Sequence, residues 1–235
     1  MPQGQIIRLQ PKKPSRQKIG VIVQARMTSV RFPGKSMALL AGRPVIEHVL
    51  ERARNIRANK DYDTETIVAV PDTPDSEAII AHADKMGISN FCGDELNVLK
   101  RYYDCACFFK FDYIVRVTGD CPFIDPRVGS EVLQLLLWRK LDYVSNIFPK
   151  RTYPKGLDVE AFTMDCLEAA YKMADAPYFQ EHVTPWMQST KEIKRANVQQ
   201  KENMCHLNYC VDYPEDISRL EKILKEQGKV NEQAS

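Results

Sequence analysis

The sequence predicts an α/β protein with a mostly parallel sheet, and three observations carry that prediction. From Ile19 onward, short apolar runs alternate with amphipathic helical stretches, the order expected when parallel strands are covered by crossover helices. The chain has 235 residues, enough for one sizeable core and too few for two ordinary domains. Its 44% hydrophobic and 27% charged residues match a soluble globular protein and exclude disordered and collagen-like classes.

Each element has a local reason. Residues 19–23 are apolar throughout, as a strand buried on both faces should be, and a long polar loop follows them. A helix begins near Pro44, with Ile46, Val49, Leu50, Ala53 and Ile56 on one face and Glu47, Glu51, Arg52 and Arg54 on the other. Residues 66–70 read as the second strand. Thr73 as N-cap, Pro74 at the first helical position, and Asp75 and Glu77 in the first turn open a helix that Gly87 ends. A third strand is expected at 88–92. Val98, Leu99, Tyr102, Ala106 and Phe109 recur at helical spacing before a fourth strand at 113–117. Asp125-Pro126 caps a helix whose Leu133, Leu135, Leu136 and Leu137 face the core, and 143–145 is the fifth strand. Beyond Asn146 the alternation loosens. A loop at 149–156, a strand at 157–162, helices at 165–173 and 180–188, strands at 193–198 and 208–211, and a closing helix from Pro214 to about Glu226 complete the chain.

Residues 1–17 carry Pro2, Pro11 and Pro14 with Arg8, Lys12, Lys13 and Arg16 and no apolar period, so they are expected to form a mobile basic leader. Residues 18–235 are expected to form a single domain, with 147–190 as an elaboration that lids the sheet. A formal charge of +2 provides no overall field for nucleic acid or a membrane surface. No apolar stretch reaches a membrane span and the N-terminus lacks a secretory core, so a cytoplasmic location is expected. The seven cysteines show no two-residue spacing, and even Cys205-His206 reads as part of a set of reduced thiols without a structural metal.

In open α/β sheets ligands bind beyond the carboxyl ends of the strands, which directs attention to the loops after the first and fourth strands. The first loop, Gln24-Ala25-Arg26-Met27-Thr28-Ser29-Val30-Arg31-Phe32-Pro33-Gly34-Lys35, holds Arg26, Arg31 and Lys35. Such cations suit a polyanion such as a triphosphate, and Ser29 and Gly34 let backbone N–H groups approach it. The loop has neither P-loop spacing nor a dinucleotide fingerprint, and a solvated charged loop is the other reading. Asp120, in Thr118-Gly119-Asp120-Cys121-Pro122, and Asp212, ahead of Tyr213-Pro214, are placed to hold Mg²⁺ with phosphate oxygens and waters. Helix capping before a proline is their alternative role. Asp61-Tyr62-Asp63 has the D-x-D form of metal-dependent glycosyltransferases but precedes its strand, at the wrong end of the sheet.

Taken in order, VIVQARMTSVRFPGKSMALLAGRPVIEHVLER, GDELNVLKRYYDCA, VRVTGDCPFIDP, DYVSN, RTYPKGLDVEAF, EHVTPW and CVDYPED resemble the cytidylyltransferases of the spore-coat polysaccharide group. These are allied to the acylneuraminate and 3-deoxy-manno-octulosonate cytidylyltransferases. The resemblance implies a three-layer α/β/α fold of the nucleotide-diphospho-sugar transferase type and a Mg²⁺-dependent activation of a sugar with CMP from CTP. It implies that Arg26, Arg31 and Lys35 bind the CTP phosphates and that Asp120 and Asp212 hold Mg²⁺. Backbone at Val23, Gln24 and Ala25, with Asp72, Gly93 and Asp94, would frame cytosine and ribose. Thr118, Tyr153, Lys155, Asp158, Glu160, Glu181 and His182 would line the sugar side. On the residues alone, Asp158 and Glu160 also read as a solvent face, His182 as a core histidine and Tyr153 as packing. The resemblance further implies a homodimer joined through 147–190. Asn97, Val30 and Met37 depart from the family pattern without removing a phosphate or metal ligand. Rival readings are a sugar-1-phosphate nucleotidyltransferase, a glycosyltransferase and a non-catalytic nucleotide-binding protein, because this architecture serves several functions.

Overall fold

The structure is a computed structural model and describes residues 16–233, so most of the expected basic leader lies outside the described residues. The elements run β1 (Gln17–Gln24), β2 (Leu39–Leu40), β3 (Arg43–Pro44), α1 (Val45–Ala53), β4 (Tyr62–Pro71), α2 (Glu77–Lys85), β5 (Ser89–Gly93), α3 (Val98–Phe109) and β6 (Tyr113–Thr118). They continue with α4 (Pro126–Arg139), β7 (Tyr143–Ser145), β8 (Glu160–Thr163), α5 (Met164–Met173), α6 (Pro177–His182), α7 (Pro185–Ser189), β9 (Arg195–Asn197) and α8 (Pro214–Gln233).

Seven strands form one sheet in the order β5-β4-β1-β6-β8-β7-β9. β8 runs antiparallel to both its neighbours, and every other pairing is parallel. Both faces of the sheet are covered. On one, Val21 and Val23 of β1 pack with Ile46, Val49 and Leu50 of α1, Ile79 of α2, and Leu133 and Leu136 of α4. On the other, Ile22 packs with Leu99 and Tyr102 of α3 and Leu167 of α5. This is the alternation a doubly covered strand requires, and it makes the fold a three-layer α/β/α sandwich. A smaller cluster of Leu40, Val45, Phe123 and Val211 seats Leu220 of α8.

The chain builds outward from β1 to β4 and β5, then returns to β6 on the other side of β1. That reversal opens a crevice between the carboxyl ends of β1 and β6, the topological switch point where such sheets bind ligands. Gly119 N–H donates to the Gln24 carbonyl across it at 2.7 Å. A Cβ at Gly119 would lie 2.8 Å from the Ala25 Cβ and 2.9 Å from the Gln24 oxygen, so only glycine lets the two loops approach this closely.

Several boundaries differ from the sequence reading. β1 starts at Gln17, whose pairing with Tyr62 takes the last residue of the expected leader into the sheet. The strand expected at 157–162 is Glu160–Thr163 and lies inside the sheet, so 147–190 contributes to the core as well as covering it. The helix expected at 180–188 is split into α6 and α7. Pro185 cannot continue a hydrogen-bonded helix, and Val183 turns to φ 69°. The strand expected at 208–211 reduces to one bridge between Lys155 and Asn208. The chain there is held by Gly156, at φ 96°, where a Cβ would lie 2.7 Å from the Tyr209 carbonyl carbon, so only glycine admits the Tyr209–Cys210 peptide.

Candidate active site

The loop after β1 folds back on itself before it reaches the crevice. Gly34, at φ 76°, donates its N–H to the Met27 carbonyl at 2.8 Å, and Ser36 Oγ donates to the Arg26 carbonyl at 3.1 Å. These bonds turn Lys35 inward, where its side chain is only 11% exposed. Its ammonium donates to Asp120 Oδ2 at 2.6 Å and to the Val211 carbonyl at 3.0 Å, and lies 3.5 Å from Asp212 Oδ1. One cation thus joins the β1 loop, the β6 loop and the segment leading into α8.

Asp212 also accepts from Arg31 Nη2 at 2.7 Å and from Lys155 Nζ at 3.0 Å. Arg31 is further placed over the Tyr213 ring, 5.2 Å from its centroid. Neither aspartate caps a helix. Asp216 accepts from the backbone N–H groups of Asp212 and Tyr213, both at 2.9 Å, which is the third-residue half of a capping box for α8. Asp125 caps α4, accepting from Arg127 N. Burial alone would push the Asp120 carboxyl upward. The charge and hydrogen bond of Lys35, with Thr118 and Cys121, reverse this and hold it below the usual carboxylate range. Burial would lower the Lys155 ammonium, yet Asp212 holds it above its ordinary value.

A cleft of about 260 Å³ opens above this cluster. Of the residues singled out in the sequence, it is lined by Gln24, Ala25, Arg26, Ser29, Val30, Arg31, Lys35, Thr118, Asp120, Glu181 and His182. Arg26 and Glu181 approach within 3.9 Å, linking the first loop to α6. Asp212 and Lys155 stand behind Lys35 and Arg31 in the same ion cluster. Val23 is buried inside β1. Asp72 and Gly93 meet at the ends of β4 and β5 through a 2.8 Å backbone bond, and Asp94 accepts from Leu96 and Asn97 in the turn before α3; none of them lines the cleft.

Three residues expected on the sugar side do not line the cleft. Glu160 is 1% exposed, paired with Arg116 at 2.5 Å and hydrogen-bonded by Tyr143 and Gln188, because the antiparallel register of β6 and β8 sets it directly opposite Arg116. Asp158 is held by both terminal nitrogens of Arg151. Tyr153 packs in the core. The solvent-face reading also fails for Glu160, which is buried. Sequence reasoning missed Val98, Arg101 and Arg116, which line the cleft. Their signal was available: Arg101 lies on the apolar stripe of α3 between Val98 and Cys105, and Arg116 interrupts an apolar strand.

The thiols of Cys121 and Cys210 lie 3.7 Å apart beneath the two aspartate-bearing loops. Their mutual hydrogen bond and burial push Cys121 well above its ordinary value. Among the described residues no group of three or more His, Cys, Asp or Glu side chains is arranged to hold a metal. Two carboxylates converging on one cation do suit Mg²⁺, which completes its shell with phosphate oxygens and water.

Residues 20–235 match the family model described as cytidylyltransferase. The chain belongs to this family. As a cytidylyltransferase it is an enzyme of the nucleotidyltransferase class. It is 36% identical over 170 residues to an uncharacterised protein of Methanocaldococcus jannaschii, covering 72% of this chain and 67% of that protein. It is 28% identical to the spore coat polysaccharide biosynthesis protein SpsF of Bacillus subtilis, covering 88% of this chain and 87% of SpsF. To the 3-deoxy-manno-octulosonate cytidylyltransferase of Geobacter metallireducens it is 33% identical over 120 residues, 51% of this chain and 45% of that enzyme. Among solved structures, a cytidylyltransferase from Leptospira borgpetersenii superposes with a TM-score of 0.79 at 26% identity, covering 91% of this chain and 96% of that one. The synthetase of CMP:2-keto-3-deoxy-manno-octonic acid, solved with CTP, shares the fold with a TM-score of 0.67 at 18% identity, covering 90% and 100%.

Proposed function

We propose that this cytidylyltransferase transfers CMP from CTP to a hydroxyl of a 2-keto-3-deoxy sugar acid, releasing pyrophosphate, for surface-polysaccharide assembly. The observation that carries the reading is Lys35 Nζ lodged between Asp120 and Asp212 at the switch point, with Arg26 and Arg31 on the same loop. The sugar hydroxyl attacks the α-phosphorus and the bond to the β-phosphate bridging oxygen breaks. Negative charge then spreads over phosphate oxygens, so the protein's work is positioning and charge neutralisation. Arg26 and Arg31 grip the phosphates and exclude water from them. Lys35, once turned from the carboxylates, neutralises charge that grows on the departing pyrophosphate. Asp120 and Asp212 are the residues that would hold Mg²⁺. The metal supplies Lewis-acid neutralisation of phosphate and acidifies a hydroxyl bound to it. Thr118, Glu181 and His182 orient the acceptor from the β6 and α6 walls, and Lys155 keeps Asp212 aimed at the cleft.

The remaining assignments belong to the same reading. Cytosine and ribose lie toward Gln24, Ala25 and the ends of β4 and β5 near Asp72, Gly93 and Asp94. The enzyme acts in the cytoplasm, and no described helix is long and apolar enough to cross a membrane. It works as one catalytic domain and as a homodimer through 147–190, a segment that exposes Met173 and Tyr178. Sedimentation at working concentration should give twice the chain mass.

The deciding experiment measures pyrophosphate release with Mg²⁺, setting CTP against UTP, ATP and GTP over a panel of 2-keto-3-deoxy sugar acids and sugar-1-phosphates. Release only with CTP and a keto acid is expected. Release only with a sugar-1-phosphate would overturn the acceptor assignment, and nucleotide binding without turnover on any acceptor would favour the non-catalytic reading.

A further inference from the structure

Gln24 and Arg116 both line the cleft, and Gln24 Oε1 and Arg116 Nε are buried with no hydrogen-bond partner among the described residues. In the parallel pairing of β1 with β6, Ile22 stands opposite Arg116 and Gln24 opposite Thr118. Alternate residues of a strand share a face, so Gln24 and Arg116 are neighbours on the face where Ile22 and Ile114 pack with α3. One orphan atom accepts and the other donates. A buried polar group left unmade is costly, and two of opposite kind on one floor are arranged for a ligand group that accepts and donates at once.

The charge of Arg116 is already matched. Its Nη1 donates to Glu160 Oε2 at 2.5 Å, and Tyr143 and Gln188 fix the other carboxylate oxygen. Burial alone would lower the guanidinium, yet Glu160 holds it above its ordinary value. A phosphate or a second carboxylate on this arginine would crowd a like charge against Glu160, whereas a hydroxyl brings no charge and has both a lone pair and a proton to offer. Position then selects whose hydroxyl it is. Glu160 lies on β8, across β6 from β1, and β4 and β5 lie on the other side of β1. The phosphate cations Arg31 and Lys35 gather farther out, at Asp120 and Asp212. Arg116 thus stands on the β6 side with Thr118, the wall assigned above to the acceptor.

We infer that Gln24 and Arg116 read a hydroxyl of the acceptor sugar, which accepts from Arg116 Nε–H and donates to Gln24 Oε1. This rests on the CMP-transfer reading above and adds to it the residues that tell one sugar acid from another. An amide and an ion-paired guanidinium take up no proton near neutral pH, so the pair recognises a hydroxyl and does not activate the attacking one. Glu160 acts through Arg116, as a positioning residue.

The test measures pyrophosphate release by the full chain with Mg²⁺ and CTP. Its acceptor is the 2-keto-3-deoxy sugar acid of the panel above that the unaltered chain turns over fastest, with the monodeoxy analogues of that acid. Gln24→Met keeps the length of the side chain, and Oε1 has no protein partner to lose; melting curves confirm that the variant folds. It should raise the KM for the acid about ten-fold and leave the KM for CTP unchanged. One monodeoxy analogue should lose about ten-fold in kcat/KM on the unaltered chain and little more on Gln24→Met, because a single contact can be removed only once. An unmoved KM for the acid, or losses that add for every analogue, would overturn the inference. A rise in the KM for CTP alone would give the hydroxyl to the ribose and overturn it as well. Arg116→Met combined with Glu160→Gln, which exchanges one neutral pair for another, should also raise the KM for the acid; should that variant not fold, Gln24→Met decides alone. An unaltered chain that releases no pyrophosphate with any keto acid would instead sink the reading on which the inference rests.

Discussion

Two clusters of opposite charge lie on the same sheet. Around Asp120 and Asp212, one carboxylate is 27% exposed, and Lys35 and Arg31 of the β1 loop reach it and its neighbour together with Lys155 of a later loop. Around Glu160, a single arginine, a tyrosine and a glutamine saturate a carboxylate that is 1% exposed. The first cluster opens on the cleft and its partners can be exchanged for a ligand's charges. In the second, each Glu160 oxygen already has a protein donor, so a substrate has nothing to replace. Charge at a strand end marks a candidate site only where the structure leaves its partners exchangeable.

The largest effect should come from breaking the closed cluster. Glu160→Ala takes the carboxylate from Arg116, whose largely buried side chain borders the cleft, and should cost about 3 kcal/mol of stability, read from urea unfolding; a loss confined to catalysis would mean that the Glu160–Arg116 pair serves the cleft instead of the fold. In the open cluster, Asp120→Asn should lower kcat by about 10²–10³ with a nearly unchanged unfolding midpoint. Near-normal turnover would remove Asp120 from the machinery and erase the contrast.

A smaller effect separates the cap from the site. The folded Asp216 carboxyl feels burial upward, but Arg219 and the N–H groups of Asp212 and Tyr213 hold it below its ordinary value. Its stabilisation is therefore present above the unfolded value near about 3.9 and is lost as pH falls through the lower folded value. The stability difference between the unaltered chain and Asp216→Asn should accordingly shrink on acidification from about pH 6 to about pH 3; a gap that persists would assign it to shape instead of charge. The smallest effect belongs to Tyr153→Phe, for which neither KM should move because the ring packs in the core. A rise in the sugar KM would put Tyr153 in the cleft.

Strands β1 and β6 were legible because each is a short apolar run, and the first-loop cations were legible because they directly follow one. Lys35 and Asp120 could be proposed as neighbours from topology alone. The pairing of Glu160 was not legible because its partner is set by antiparallel register, which period-two patterning does not encode. The pairing of Asp158 was hidden for a related reason: its bidentate contact with Arg151 depends on how 147–159 folds back. Arg101 escaped notice because, beside Lys100, it reads as part of a solvated helix face, although its spacing from Val98 and Cys105 sets it on the apolar one. The break between α6 and α7 was written at Pro185, but the surrounding polar residues gave no apolar period to interrupt.

The 2.7 Å bond from Gly119 to Gln24, with no room for a Cβ, makes the crevice floor a single welded seam. Drift in sequence can recut the walls, since the side chains that α3 and α6 turn to the cleft lie outside that seam. New acceptor or base preferences in such a scaffold should therefore arise by exchange on those helices, while position 119 stays closed to change.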